Sequence, residues 1–107
     1  MTLTHLAFVL AKSDCEAALA SLLAELAAAA SEEPGCAEFA IHQSSDDPAL
    51  WFICSSWQSA EALDAHLARG AGRRFVDAVD GLLDEAMDVR SFVRRRPVRA
   101  GALAIAA

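Results

Sequence analysis

Three histidines, three cysteines and two tryptophans carry most of the chemistry available to this 107-residue chain. His66 shares a helical stripe with Leu63 and Leu67, so its helix would turn it toward whatever that stripe packs on. An imidazole there is near-neutral at physiological pH and can take up a proton as a general base. A core histidine bonded only to backbone fits the same spacing. Trp57 offers an indole N–H to a substrate oxygen and a broad ring face to an aromatic ligand. The same side chain would equally plug a sheet against a helix. His42 lies near the end of a strand-like run, where it is either a site residue or a hairpin surface residue. Neither His-x-x-x-His nor Cys-x-x-Cys spacing occurs, so no metal site is expected. A Gly-rich phosphate loop and a Gly-x-Ser-x-Gly elbow are absent as well.

Composition narrows the function classes further. With 9 Lys+Arg against 15 Asp+Glu the net charge is -6, which argues against nucleic acid, whose binding rests on neutralised phosphates. Arg94, Arg95, Arg96 and Arg99 cluster near the end, as an anion-attracting patch or simply as a charged strand edge that discourages aggregation. Hydrophobic residues make up 55%, too many for a disordered chain, and the length suits one domain. Cys15, Cys36 and Cys54 are odd in number, which suggests a reducing cytoplasm rather than a disulfide framework. The opening segment lacks a basic region and is broken by Lys12, Ser13 and Asp14, so neither a signal peptide nor a membrane span is expected.

The elements that must position His66 and Trp57 follow from periodicity. Leu6, Phe8 and Leu10 alternate within a strand over 3–11, buried mainly on one face. Ser13 and Glu16 have capping-box spacing for a helix that carries Leu19, Leu22, Leu23 and Leu26 and runs to about Ala30, where Pro34-Gly35 stops it. Strands over 36–43 and 50–57 flank Asp46-Asp47-Pro48 as a hairpin. Ser59 caps the helix that holds His66, and Gly70 and Gly72 are expected to end it. A third helical piece carries Phe75, Val76, Val79, Leu82 and Leu83, and Val89 and Val93 alternate with Arg90 and Arg94 in a last strand. The order strand, helix, strand, strand, helix, strand predicts a ferredoxin-like α+β split β-α-β sandwich with a four-stranded antiparallel sheet. The domain covers 1–96, and 97–107 is a tail that is either flexible or packed on a partner.

Helices on one side leave the other face of that sheet bare. Phe52 and Cys54 alternate with Ile53 and Trp57, so both faces of the third strand are apolar. Burying the second face returns roughly 25 cal/mol per Å² of apolar area. A homodimer that mates two such faces is expected.

The run Glu33-Pro34-Gly35-Cys36, then Phe39, Ile41-His42, Asp46-Asp47-Pro48, Trp57 and Glu61-Ala62-Leu63-Asp64-Ala65-His66-Leu67, resembles the antibiotic biosynthesis monooxygenase (ABM) family, which includes small quinol monooxygenases. The resemblance implies a dimeric α/β barrel. It also implies oxygenation of a small aromatic, quinol or polyketide-like compound by dioxygen, with no metal, flavin or haem cofactor. On this reading Trp57 and His66 are catalytic, and His42, which matches a histidine often present in relatives, contacts substrate together with Ile53, Ser55 and Phe75.

The departures from the family pattern also matter. Relatives often carry a glutamate where this chain has Ser55, and a polar residue near Ile53, so the expected pocket is less polar. Haem-degrading cousins use polar and aromatic residues where this chain has Leu6, His66 and Val76, which speaks against haem. Two other readings stay open. One is a dimer that binds a small molecule without turnover, and the other is an isomerase or cyclase on the same scaffold.

Overall fold

The computed structural model describes residues 2–95. The proposed tail over 97–107 lies outside the described residues. Four strands, β1 (Leu3–Leu10), β2 (Cys36–Gln43), β3 (Leu50–Trp57) and β4 (Asp88–Val93), form one antiparallel sheet in the order β2-β3-β1-β4. Helices α1 (Glu16–Ala30), α2 (Ala60–Ala68) and α3 (Gly70–Val79) complete the ferredoxin-like α+β sandwich, with a 3-10 turn at Asp80–Leu82 before β4.

The register sorts side chains into rows across the sheet. On the helical face run the rows Ile41–Ile53–Ala7–Val89 and Phe39–Ser55–His5–Ser91, followed by Trp57–Leu3–Val93. The opposite face carries His42–Phe52–Phe8–Asp88 and Ala40–Cys54–Leu6–Arg90. The first strand therefore faces the other way from the expectation that Leu6, Phe8 and Leu10 mark its buried side. Ala7, Val9 and Ala11 are the buried residues, whereas Phe8 is 42% exposed. Leu19, Leu23 and Leu26 of α1, with Phe75 and Val79 of α3, fill the space between the layers, so the central strand can offer only small side chains there.

Local signals mostly act as the sequence suggests, with two exceptions. Ser59 Oγ accepts from Ala62 N–H at 3.1 Å and caps α2, as expected. Ser13 does not cap α1: Asp14 takes φ +77° in a tight turn, and Cys15 becomes the N-cap with no side-chain hydrogen bond. That turn, closed by Cys15 N–H to Lys12 O at 2.9 Å, leaves Ser13 two residues before the cap. Gly72 does not end a helix either. It lies inside α3, after α2 has stopped at Ala68, where a Cβ would fall 1.9 Å from the His66 carbonyl oxygen and 3.0 Å from its Cε1.

Gly72 thus permits the close approach of α3 to the end of α2. Gly72→Ala is expected to destabilise the fold by about 1–3 kcal/mol through overpacking. Gly81→Ala, whose added Cβ meets nothing within 4 Å, is expected to change stability by less than about 0.5 kcal/mol. Urea unfolding of both variants checks the difference.

Candidate active site around His66

His66 sits near the end of α2, 6% exposed, and each edge of its ring meets a different element. Its Nδ1–H donates to Glu33 Oε2 at 2.6 Å, since a carboxylate only accepts. One ring face lies against the Trp57 indole, with centroids 4.6 Å apart, and Phe39 meets the ring edgewise at 5.8 Å. Glu33 reaches this point because Gly35 turns the chain after α1 at φ +86° and brings it under α2; a Cβ at Gly35 would lie 2.7 Å from Ala62 Cβ. Ala62 is one helical turn before His66, so the glycine that admits this loop also sets the distance between Glu33 and the imidazole.

Trp57 is wholly buried at the end of β3, and its indole N–H donates to Ser55 Oγ at 3.0 Å. Both residues face the helices because they are two apart on one strand. That bond takes up the N–H that Trp57 would otherwise offer to a ligand. Ser55 is 2% exposed and Ile53 4%, so both lie in the floor beneath the helices. Phe75 packs in the core between α1, α3 and the sheet. His42 is on the opposite face, stacked on Phe52 at 5.7 Å, with Phe8 stacked on the far side of Phe52 at 4.7 Å. The structure thus brings together His66, Trp57 and Ser55, keeps Ile53 and Phe75 in the adjoining core, and separates His42 from them by the thickness of the sheet.

Two cavities flank these groups. One, of about 430 Å³, is lined by Glu33, Pro34, Ala62, Ala65, His66, Arg69 and Gly70, and gives His66 an opening at the α2–α3 junction. The other, of about 280 Å³, lies by the aromatic file Phe8, Phe52 and His42.

Residue type and spacing alone give Glu33 and His5 no role. Glu33 was part of the Glu-Pro-Gly-Cys run, but its pairing with a histidine 33 positions later is a tertiary contact. His5 faces the helices in the row between Ser55 and Ser91, and its Nδ1 lies 3.3 Å from Ser91 Oγ. Burial, and then the neighbouring His66, hold the His5 pKa below the ordinary histidine value.

The thiols are poor candidates for nucleophiles. All three cysteines are free. Burial pushes Cys36 and Cys54 up, helped by Glu33 and Glu38 respectively, which disfavours the reactive thiolate. Among the described residues, no three His, Cys, Asp or Glu side chains are grouped to hold a metal, and no helix is long and apolar enough to cross a membrane.

The family model for antibiotic biosynthesis monooxygenase matches residues 2–78. The chain belongs to that family. Among solved structures, the ABM fold of this chain is similar to Rv0793 from Mycobacterium tuberculosis, with TM-score 0.85 and 20% identity, covering 92% of this chain and all of that one. It is also similar to PA3566 from Pseudomonas aeruginosa, with TM-score 0.82 and 26% identity over 89% of this chain and 95% of that one. A third structure, of an antibiotic biosynthesis monooxygenase, superposes with TM-score 0.82 at 21% identity, over 88% of this chain and 99% of that one. At 20% and 21% identity the first and third likenesses establish the ABM fold alone. No curated protein matches the chain.

A depressed histidine pKa has a thermodynamic consequence. The folded state holds the His5 proton more weakly than the unfolded state, so protonation favours unfolding, and the stability due to neutral His5 is lost as pH falls through the ordinary histidine range. His5→Gln is expected to reduce the loss of stability between about pH 7 and pH 5 relative to the parent protein, read by thermal melts across that range.

Proposed function

We propose that this ABM-family chain is a cofactor-independent monooxygenase that oxidises a small hydroxylated aromatic or quinol-like compound with dioxygen. The observation that carries this reading is the His66 imidazole, fixed through Nδ1 by Glu33 while Nε2 has no hydrogen-bond partner among the described residues. Glu33 holds the tautomer that leaves Nε2 as the basic nitrogen, the role a carboxylate plays beside a general-base histidine.

The chemistry needs little else from the protein. Removing a phenolic or benzylic proton gives an electron-rich anion that passes one electron to dioxygen. The resulting carbon radical and superoxide combine at carbon, and the peroxide loses water to leave a new carbonyl. A CH₂ and O₂ thus become C=O and H₂O, with the substrate as the reductant. His66 takes the first proton. Trp57 and Phe39 pack against the imidazole and keep its surroundings apolar.

The reading extends to assembly. The far face of the sheet, where Phe8 and Phe92 are 42% and 49% exposed, is a surface suited to a second copy of the chain in a cytoplasmic homodimer. One observation favours a second reading, that of a small-molecule binder without turnover: the Trp57 N–H is bonded to Ser55, so no indole donor remains to stabilise a developing oxyanion. An isomerase or cyclase would continue to form product without oxygen.

Metal-free protein given anthrone or a reduced naphthoquinol is expected to consume oxygen. His66→Ala should lower the rate by about 10²- to 10⁴-fold, and Glu33→Gln by less. Normal uptake in His66→Ala removes that residue from the mechanism, and turnover that survives under argon replaces oxygenation with isomerisation. Light scattering is expected to give the mass of a dimer, shifted toward monomer in Phe8→Glu.

A further inference from the structure

The helical face of the sheet carries one polar row in an apolar field. Ser55, His5 and Ser91 lie side by side on β3, β1 and β4. The rows above and below them are Trp57–Leu3–Val93 and Ile53–Ala7–Val89. At the β3 end the row is sealed, since Ser55 is buried and holds the Trp57 N–H, and Trp57 in turn stacks on His66. At the β4 end it is open, because Ser91 is exposed and Val89 is 43% exposed. His5 stands between these ends, half-buried.

The orientation of His66 agrees with this layout. Its Nδ1 is taken by Glu33 and its Cε1 borders Gly72, so Nε2, the next atom around the ring, is turned away from Glu33.

We infer that the row Ser55–His5–Ser91 is the floor of the substrate site, with His5 hydrogen-bonding an oxygen of a hydroxylated aromatic ring that lies over β1 and β4. This deepens the monooxygenase reading and rests on it for the choice of ligand. The occupant must be flat and largely apolar, to cover Leu3, Val89 and Val93, and must carry oxygen at its edge, because Nδ1 of His5 has Ser91 Oγ at 3.3 Å while Nε2 would lose its contact with water and gain no partner. A purely aliphatic ligand would leave that Nε2 unsatisfied. A neutral imidazole serves both kinds of oxygen, donating to a carbonyl and accepting from a hydroxyl. His5 is thus a specificity-determining residue, while proton abstraction stays with His66.

Binding under argon separates this inference from turnover. Titration calorimetry of the full chain with 2-naphthol and with naphthalene is expected to show a preference for the hydroxylated ring of about tenfold, the worth of one good hydrogen bond. His5→Leu should abolish that preference, weakening 2-naphthol and removing the cost of burying a polar ring under naphthalene, and His5→Gln, which keeps a donor and an acceptor, should restore most of it. In the parent protein, 2-naphthol should also shift the His5 ring-proton NMR resonance, a readout that survives if His5→Leu does not fold. The inference is overturned if His5→Leu keeps the preference or if the His5 resonance does not move. It is overturned equally if neither compound binds, because the row is then covered by the chain itself. A protein that binds 2-naphthol through His5 yet consumes no oxygen would sink the monooxygenase reading and leave the floor in place.

Discussion

The placement of one imidazole governs this molecule. His66 is held by a carboxylate at one nitrogen, by an indole on one face and by a glycine backbone at the edge between the nitrogens, and these come from three separate parts of the chain. A buried polar side chain keeps such a position only when its hydrogen bond is satisfied, and Glu33 satisfies it. The two close approaches that allow this, at Gly35 and Gly72, would each be blocked by a methyl group. The site is therefore built into the packing of α2 rather than added to a loop on its surface.

The sheet beneath serves two opposed demands. On its helical face the central strand must be thin, so Ala7 and Val9 give way to the leucines of α1. Its larger residues, Leu6, Phe8 and Leu10, are displaced to the far face, where Phe8, Phe52 and His42 stack in a file. The same alternation that makes a close-packed core thus leaves a greasy outer face, and the latter supports the proposal of a dimer. His42 belongs to that outer file, on the face of the sheet away from His66.

Ser55 takes on a physical meaning in this arrangement. Ser55 is 2% exposed, and its oxygen receives the Trp57 N–H. A carboxylate there would bury a negative charge beside the Trp57 indole. The serine instead locks the indole with a neutral bond and keeps the wall behind His66 apolar.

The amino-acid sequence by itself determined the elements, their order and the α+β class, because hydrophobic period, the Ser59 cap and the Pro-Gly and Asp-Asp-Pro breaks are local properties of the chain. It also singled out His66 and Trp57, through residue type and the helical stripe. Three things were decided only by tertiary structure. Strand alternation shows that two faces differ but not which one meets the helices, so Leu6, Phe8 and Leu10 read as the inner side until the bulk of α1 was set against them. For the same reason His5, on the inner parity with Ala7, went unassigned. The Glu33–His66 pair joins residues 33 positions apart, and a contact of that separation exists only once the Gly35 turn and the α2–α3 packing bring the two segments together.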